Sequence, residues 1–195
     1  MQHLDLQLRK WLTRLSEDVR LLPDQTQNVA TLIEREVRAL SDRQRRQVIN
    51  ASPVPLSARL DELVAFRSWT ELANQASSPH VVRAHIVTQN YICFVYLKES
   101  CFEALRKVMQ PKSVTKRCCQ FLVSNPVRAF RNAVAHGNWT YNDEFSGIEF
   151  WSYKGEPTDE PIPHWEASQQ DIDFWQALAK ATAYSAFTAL SERQK

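Results

Sequence analysis

Only three glycines, Gly137, Gly147 and Gly155, stand in 195 residues, and none precedes position 137. Glycine supplies the turns on which sandwiches, barrels and nucleotide-binding α/β sheets depend. These architectures are therefore disfavoured. A P-loop or a dinucleotide fingerprint is excluded before residue 137, and neither pattern follows it. The length suits one ordinary domain, or one domain with a small appendage. A hydrophobic fraction of 44% and a charged fraction of 24% fit a globular chain rather than a disordered tail. At this size folding buries about 70% of the unfolded surface, so a core forms without covalent staples.

Helical periodicity runs through the first two-thirds. Leu4, Leu8, Trp11, Leu15, Val19 and Leu22 form a helical stripe that Pro23 ends. A second helix is predicted over 27–49. Val29, Ile33, Val37 and Leu40 make its apolar face, and Arg43, Arg45 and Arg46 crowd its last turns, where cations favour the dipole. Ser52-Pro-Val-Pro55 breaks the chain before a third helix of about 56–73, and 76–79 reads as a linker. A long helix over about 81–109 presents Val87, Tyr91, Phe94, Val95, Cys101, Phe102, Leu105 and Val108 on one broad face. Ser113 suits the N-cap of a helix at about 114–123. Asn125 and Pro126 suit the N-cap and first position of the next helix, which Gly137 closes.

Beyond Gly137 the pattern changes. Residues 148–153, aromatic and β-branched, read as a strand. Residues 155–161 read as a loop, and 162–166 as a returning strand that Pro161 and Pro163 confine to an edge. A final helix over about 169–192 carries Ile172, Trp175, Leu178, Thr182 and Ala186 on one face. The expected fold class is all-α, a mainly helical bundle. A small β-hairpin insertion at about 140–167 lies between the 126–136 helix and the last one. Residues 1–78 are expected to pack as a helical region on a domain of 79–195.

Charge is segregated. Residues 51–138 hold eleven basic and five acidic residues, a net of +6, and residues 139–195 hold four basic and ten acidic, a net of −6. No Asp or Glu occurs over 104–142, which contain Arg106, Lys107, Lys112, Lys116, Arg117, Arg128 and Arg131. Such a field attracts a polyanion such as a nucleic-acid backbone. The alternative is that the basic stretch packs on the acidic final third.

The segment from Pro126 to His136 carries most of the chemistry. At about 100° per residue, Arg131, Ala135, Arg128, Asn132 and His136 fan over about 140° of the helix, opposite Val127, Phe130, Ala133 and Val134. The polar front offers two guanidiniums suited to phosphate oxygens and an imidazole suited to proton transfer near neutral pH. Asn132, one turn before His136, is placed to hydrogen-bond its ring.

Arg131-Asn132, three residues and His136, followed by Gly137-Asn138-Trp139, resemble the signature of the HEPN superfamily (higher eukaryotes and prokaryotes nucleotide-binding). That signature is an Arg, four to six residues, then His, with a polar residue commonly after the Arg. The resemblance covers about 80–190 and is closest to stand-alone prokaryotic members. It implies an α-helical bundle that dimerises with its two motif helices facing across a shared cleft. It also implies metal-independent endoribonuclease activity, in which the RNA 2′-hydroxyl attacks the neighbouring phosphate. The products are a 2′,3′-cyclic phosphate and a 5′-hydroxyl. His136 would then transfer protons, Arg131 would hold the scissile phosphate, and Asn132 would orient the imidazole or the phosphate. Arg128, with Lys112, Lys116 and Arg117, would contact RNA. Toxin or defence roles, with an antitoxin partner, belong to the same expectation. The alternative within the family is a non-catalytic dimeric module that binds nucleotides or proteins. A third reading is a helical scaffold that uses the 1–50 helices as a hairpin.

No cofactor and no metal are expected. His80 and His85 fall about 140° apart on a helix, and His3 and His164 have no obvious partners. Cys93, Cys101, Cys118 and Cys119 form no CxxC pair. With no export signal at the start and no run of 18 apolar residues, the expected compartment is the cytoplasm, with reduced thiols and no membrane partner. Cys118 and Cys119, near basic residues, invite a redox role. Trp139, Trp151, Trp165 and Trp175 cluster late, where hairpin or core packing is the ordinary role and stacking on RNA bases the other.

Overall fold

A computed structural model of the chain describes residues 23–51, 55, 58–59, 61–65, 68, 86–143, 146–152 and 162–192. The predicted helix over 4–22, most of that over 56–73, the linker at 76–79, and His3, His80 and His85 lie outside the described residues. What is described is mostly helical, with one small antiparallel sheet.

Helix α1 (Pro23–Arg38) buries Val29, Ile33 and Val37, the expected stripe, and lies along the last helix of the chain. The single helix predicted over 27–49 is instead two. The chain turns at 39–40 and restarts as α2 (Asp42–Ile49). Ser41 causes the break. Its hydroxyl accepts from the Gln44 backbone N–H, and the Gln44 side chain accepts from the Ser41 N–H. Two orphan donors are thereby satisfied reciprocally. Arg45 is not a solvated last-turn cation. It is buried and donates to the carbonyls of Val37, Ala189 and Leu190 at 3.4, 3.0 and 3.0 Å, which ties the C-terminal ends of two helices together.

The long helix α3 spans residues 86–108 and contains two π-helical stretches, Tyr91–Tyr96 and Lys98–Phe102. There the Leu97 N–H reaches the Ile92 carbonyl and the Glu103 N–H reaches the Lys98 carbonyl. These wider turns rotate the buried stripe away from a 3.6-residue period. Cys93, Phe94, Leu97, Cys101, Phe102 and Leu105 are buried, whereas Val87 and Tyr91, expected inside, are exposed.

Helix α4 (Val114–Leu122) begins at Ser113, whose hydroxyl accepts from the Lys116 N–H as expected. A second cap comes from α1. The Glu36 carboxylate accepts from the Val114 and Thr115 N–H groups at 2.9 and 2.8 Å and from the Thr115 hydroxyl at 2.6 Å. Helix α5 (Val127–His136) leads into the sheet.

The expected hairpin is a three-stranded sheet, β1 (Trp139–Tyr141), β2 (Gly147–Trp151) and β3 (His164–Ser168), in the order β1-β2-β3. Cross-strand pairing sets Trp139, Phe150 and Trp165 in one row and Tyr141, Ile148 and Ala167 in another. That face covers the core, and Thr140, Glu149 and Glu166 face outward. Helix α6 (Gln169–Ser191) starts at a Ser168–Asp171 capping box and buries Ile172, Trp175, Leu178, Thr182 and Ala186 as expected. It packs against α1, α3, α4 and β3 and forms the centre of the bundle. No helix of the described residues is long and apolar enough to cross a membrane.

Candidate functional site

Phe130 fixes the rotation of α5. It is fully buried and meets Phe94, Phe150 and Trp175 edge-on, with ring centroids 5.4, 5.2 and 5.7 Å away. Val127, Ala129 and Ala133 are buried with it. Arg128, Ala135 and His136 are consequently exposed, and Arg131 and Asn132 are half-buried. The helix wheel read from the sequence thus describes the real helix.

Both ends of α5 are defined locally. The Asn125–Pro126 peptide is cis, and the helix begins at Val127 with Pro126 at the cap. Asn125 is not the N-cap that its sequence position suggested. The Arg128 N–H is taken instead by the Ser124 carbonyl at 2.8 Å. At the other end Gly137 takes φ +73°, the left-handed conformation expected of a residue closing a helix. The N–H groups of Gly137 and Asn138 both reach the Ala133 carbonyl.

His136 is the last helical residue and is exposed. Asn132 does not bind its ring. Its amide donates to the Ser152 hydroxyl at 3.3 Å, across to the end of β2. The structure places a strand end within reach of Asn132, and no sequence signal pointed to Ser152. Arg131 keeps its Nε buried without a hydrogen-bond partner. A buried donor left unmade carries a desolvation cost, and an anionic acceptor would relieve it.

The four expected RNA contacts divide. Arg128 and Lys112 are exposed. Arg117, on α4, is half-buried and, like Arg131, has a buried Nε without a partner. Lys116 is engaged internally, its ammonium donating to the Met109 carbonyl at 3.2 Å. Helices α4 and α5 touch. Arg106 is paired with Glu103 at 2.8 Å. Among the described residues no salt bridge joins the basic stretch to the acidic final third. Helices α4 and α6 meet instead through the Phe121 and Phe174 rings, 6.0 Å apart.

The cysteines carry no chemistry here. All four are buried free thiols. Burial pushes Cys93, Cys101 and Cys118 up to about 12 and holds Cys119 well above the ordinary thiol range, which argues against the redox role considered for Cys118 and Cys119. Among the described residues no three His, Cys, Asp or Glu side chains are grouped to hold a metal ion. Comparison with protein-family models, curated proteins and solved structures finds no match to this chain.

Proposed function

We propose that the chain is a metal-independent endoribonuclease of HEPN type, built on a helical bundle that dimerises through α5. The observation that carries this reading is the polar front of α5. An exposed imidazole, an exposed guanidinium and a second guanidinium with an unmet buried donor share one helix. In the proposed reaction the RNA 2′-oxygen attacks phosphorus and loses its proton. The bond from phosphorus to the 5′-oxygen breaks, and that oxygen gains a proton. His136 serves in proton transfer, and Arg131 stabilises the charge developing on the phosphate. Asn132 positions the phosphate from its place beside Ser152. The step calls for a base at the 2′-oxygen and an acid at the 5′-oxygen. A two-fold axis at α5 would bring a second His136 to the cleft.

The test is incubation of the purified protein with mixed RNAs in EDTA, followed by end-group analysis. Cyclic phosphate and 5′-hydroxyl ends are expected, and 5′-phosphate ends would exclude this chemistry. Sedimentation at tens of micromolar should give a dimer mass. Toxin or defence activity against an RNA target, with an antitoxin partner, is the biological setting the same resemblance suggests. A second reading, a dimeric module that binds RNA, nucleotide or protein without cleavage, is favoured by one observation. Asn132 is held by Ser152 and so does not orient His136. RNA binding without cut ends would select that reading.

A further inference from the structure

We propose that Trp151 and His164 form a stacking platform for a nucleobase of the RNA strand whose scissile phosphate lies at α5, which rests on the RNA-directed reading above. Along β2, Ile148 and Phe150 are buried and Glu149 is exposed, so Trp151 belongs to the outward face. The sheet register sets His164 opposite Trp151. The two rings stack with centroids 5.7 Å apart and planes 26° from parallel. The indole is only half-buried and the imidazole is exposed. In the neighbouring inward row, Phe150 and Trp165 stack similarly but with Phe150 fully buried, so that pair is core.

The platform is tied to the helix end that carries His136. The Trp151 N–H donates to the Asn138 carbonyl at 3.1 Å, and Asn132 holds Ser152. Asn138 lies two residues beyond His136. Two residues of chain and one strand spacing keep the Cα atoms of His136 and Trp151 within about 12 Å. His136 and Trp151 therefore lie at the same end of the sheet. Glu149 and Glu166 stand directly opposite each other in the next outward row. Their carboxylates repel a phosphate there, so this face receives a base rather than the backbone. Stacking on an aromatic face tolerates any base. The platform therefore adds affinity for unpaired RNA without fixing its sequence.

The experiment is fluorescence anisotropy of a labelled single-stranded oligonucleotide with the full chain. Every 2′-oxygen is methylated so that cleavage cannot occur. Trp151→Ala should weaken binding about 5- to 150-fold, the range for losing one stacked base. Trp151→Phe should keep most of the affinity. The slope of log Kd against log salt should stay unchanged in both, because no phosphate contact is lost. An abasic nucleotide at the stacked position should weaken wild-type binding and add nothing to Trp151→Ala. Binding of Trp151→Ala within twofold of wild type would overturn the platform and leave the RNA reading standing. A loss in Trp151→Phe equal to that in Trp151→Ala, or a changed salt slope, would also overturn it. If the wild type binds no RNA at low salt, the platform and the RNA reading both fall.

Discussion

Replacing Phe130 by Ala tests what holds the polar front in place. The ring is completely buried, and its loss leaves Phe94, Phe150 and Trp175 facing a void. Truncating a buried Phe to Ala costs about 3–5 kcal/mol. Three edge-on partners, each worth about 0.5–1.5 kcal/mol beyond area, put this site at the upper end. With a urea slope of about 2 kcal/mol/M, the unfolding midpoint should fall by about 2 M. Domains hold only about 5–15 kcal/mol in total, so Phe130→Leu supplies a milder step. It keeps most of the volume and loses the ring pairs, for an expected loss of about 1–2 kcal/mol, or about 0.5–1 M in midpoint. Far-UV circular dichroism is the assay, because Trp175 touches the altered ring and its fluorescence would change regardless. A midpoint shift below about 0.5 M for Phe130→Ala would refute the reasoning. It would mean that α5 is not anchored through this ring.

Three further outcomes follow from the same geometry. Gly137→Ala should cost about 1–2 kcal/mol in a urea titration, since a side chain in the left-handed conformation is strained although space is open around it. Replacing Lys112 and Arg128 together by Ala should reduce the slope of log Kd against log salt for single-stranded RNA by about 1.4, about 0.7 per phosphate contact. An unchanged slope would show that these cations meet no phosphate. A water-soluble thiol reagent at pH 8 should label none of the four cysteines in the native chain and all four in denaturant. Rapid native labelling of Cys118 or Cys119 would contradict their burial.

Legibility varied with how local each determinant is. The buried stripes of α1 and α6, the Ser113 cap and the Gly137 terminus depend on a few neighbouring residues, and the sequence states them. The polar and apolar faces of α5 were legible for the same reason. The break at Ser41 was also local, since Ser41-Asp-Arg-Gln44 is a capping box, but the apolar stripe on either side masked it. The long helix misled because two π-helical stretches shift its period, which leaves Val87 and Tyr91 outside. Strand β1 was missed because three residues are too few to show alternation. Contacts across many residues left no mark. Glu36 on α4, Arg45 on the end of α6 and Ser152 on Asn132 exist only because the fold joins distant segments.

The most direct test of the central claim compares RNA cleavage by the wild-type chain, His136→Ala and Arg131→Ala in EDTA. The substrates carry either ribose or 2′-deoxyribose at the cut position. A general acid–base group is worth about 10²–10⁴ in rate. His136→Ala should lose about that factor while its urea midpoint stays within a few tenths of wild type, because the side chain is exposed. Arg131→Ala should lose a similar factor, and Arg131→Lys should not restore it fully, since lysine lacks the bidentate fork. The deoxyribose substrate should remain uncut by every variant. Equal cutting by wild type and His136→Ala, or cutting of the deoxyribose substrate, would contradict the account.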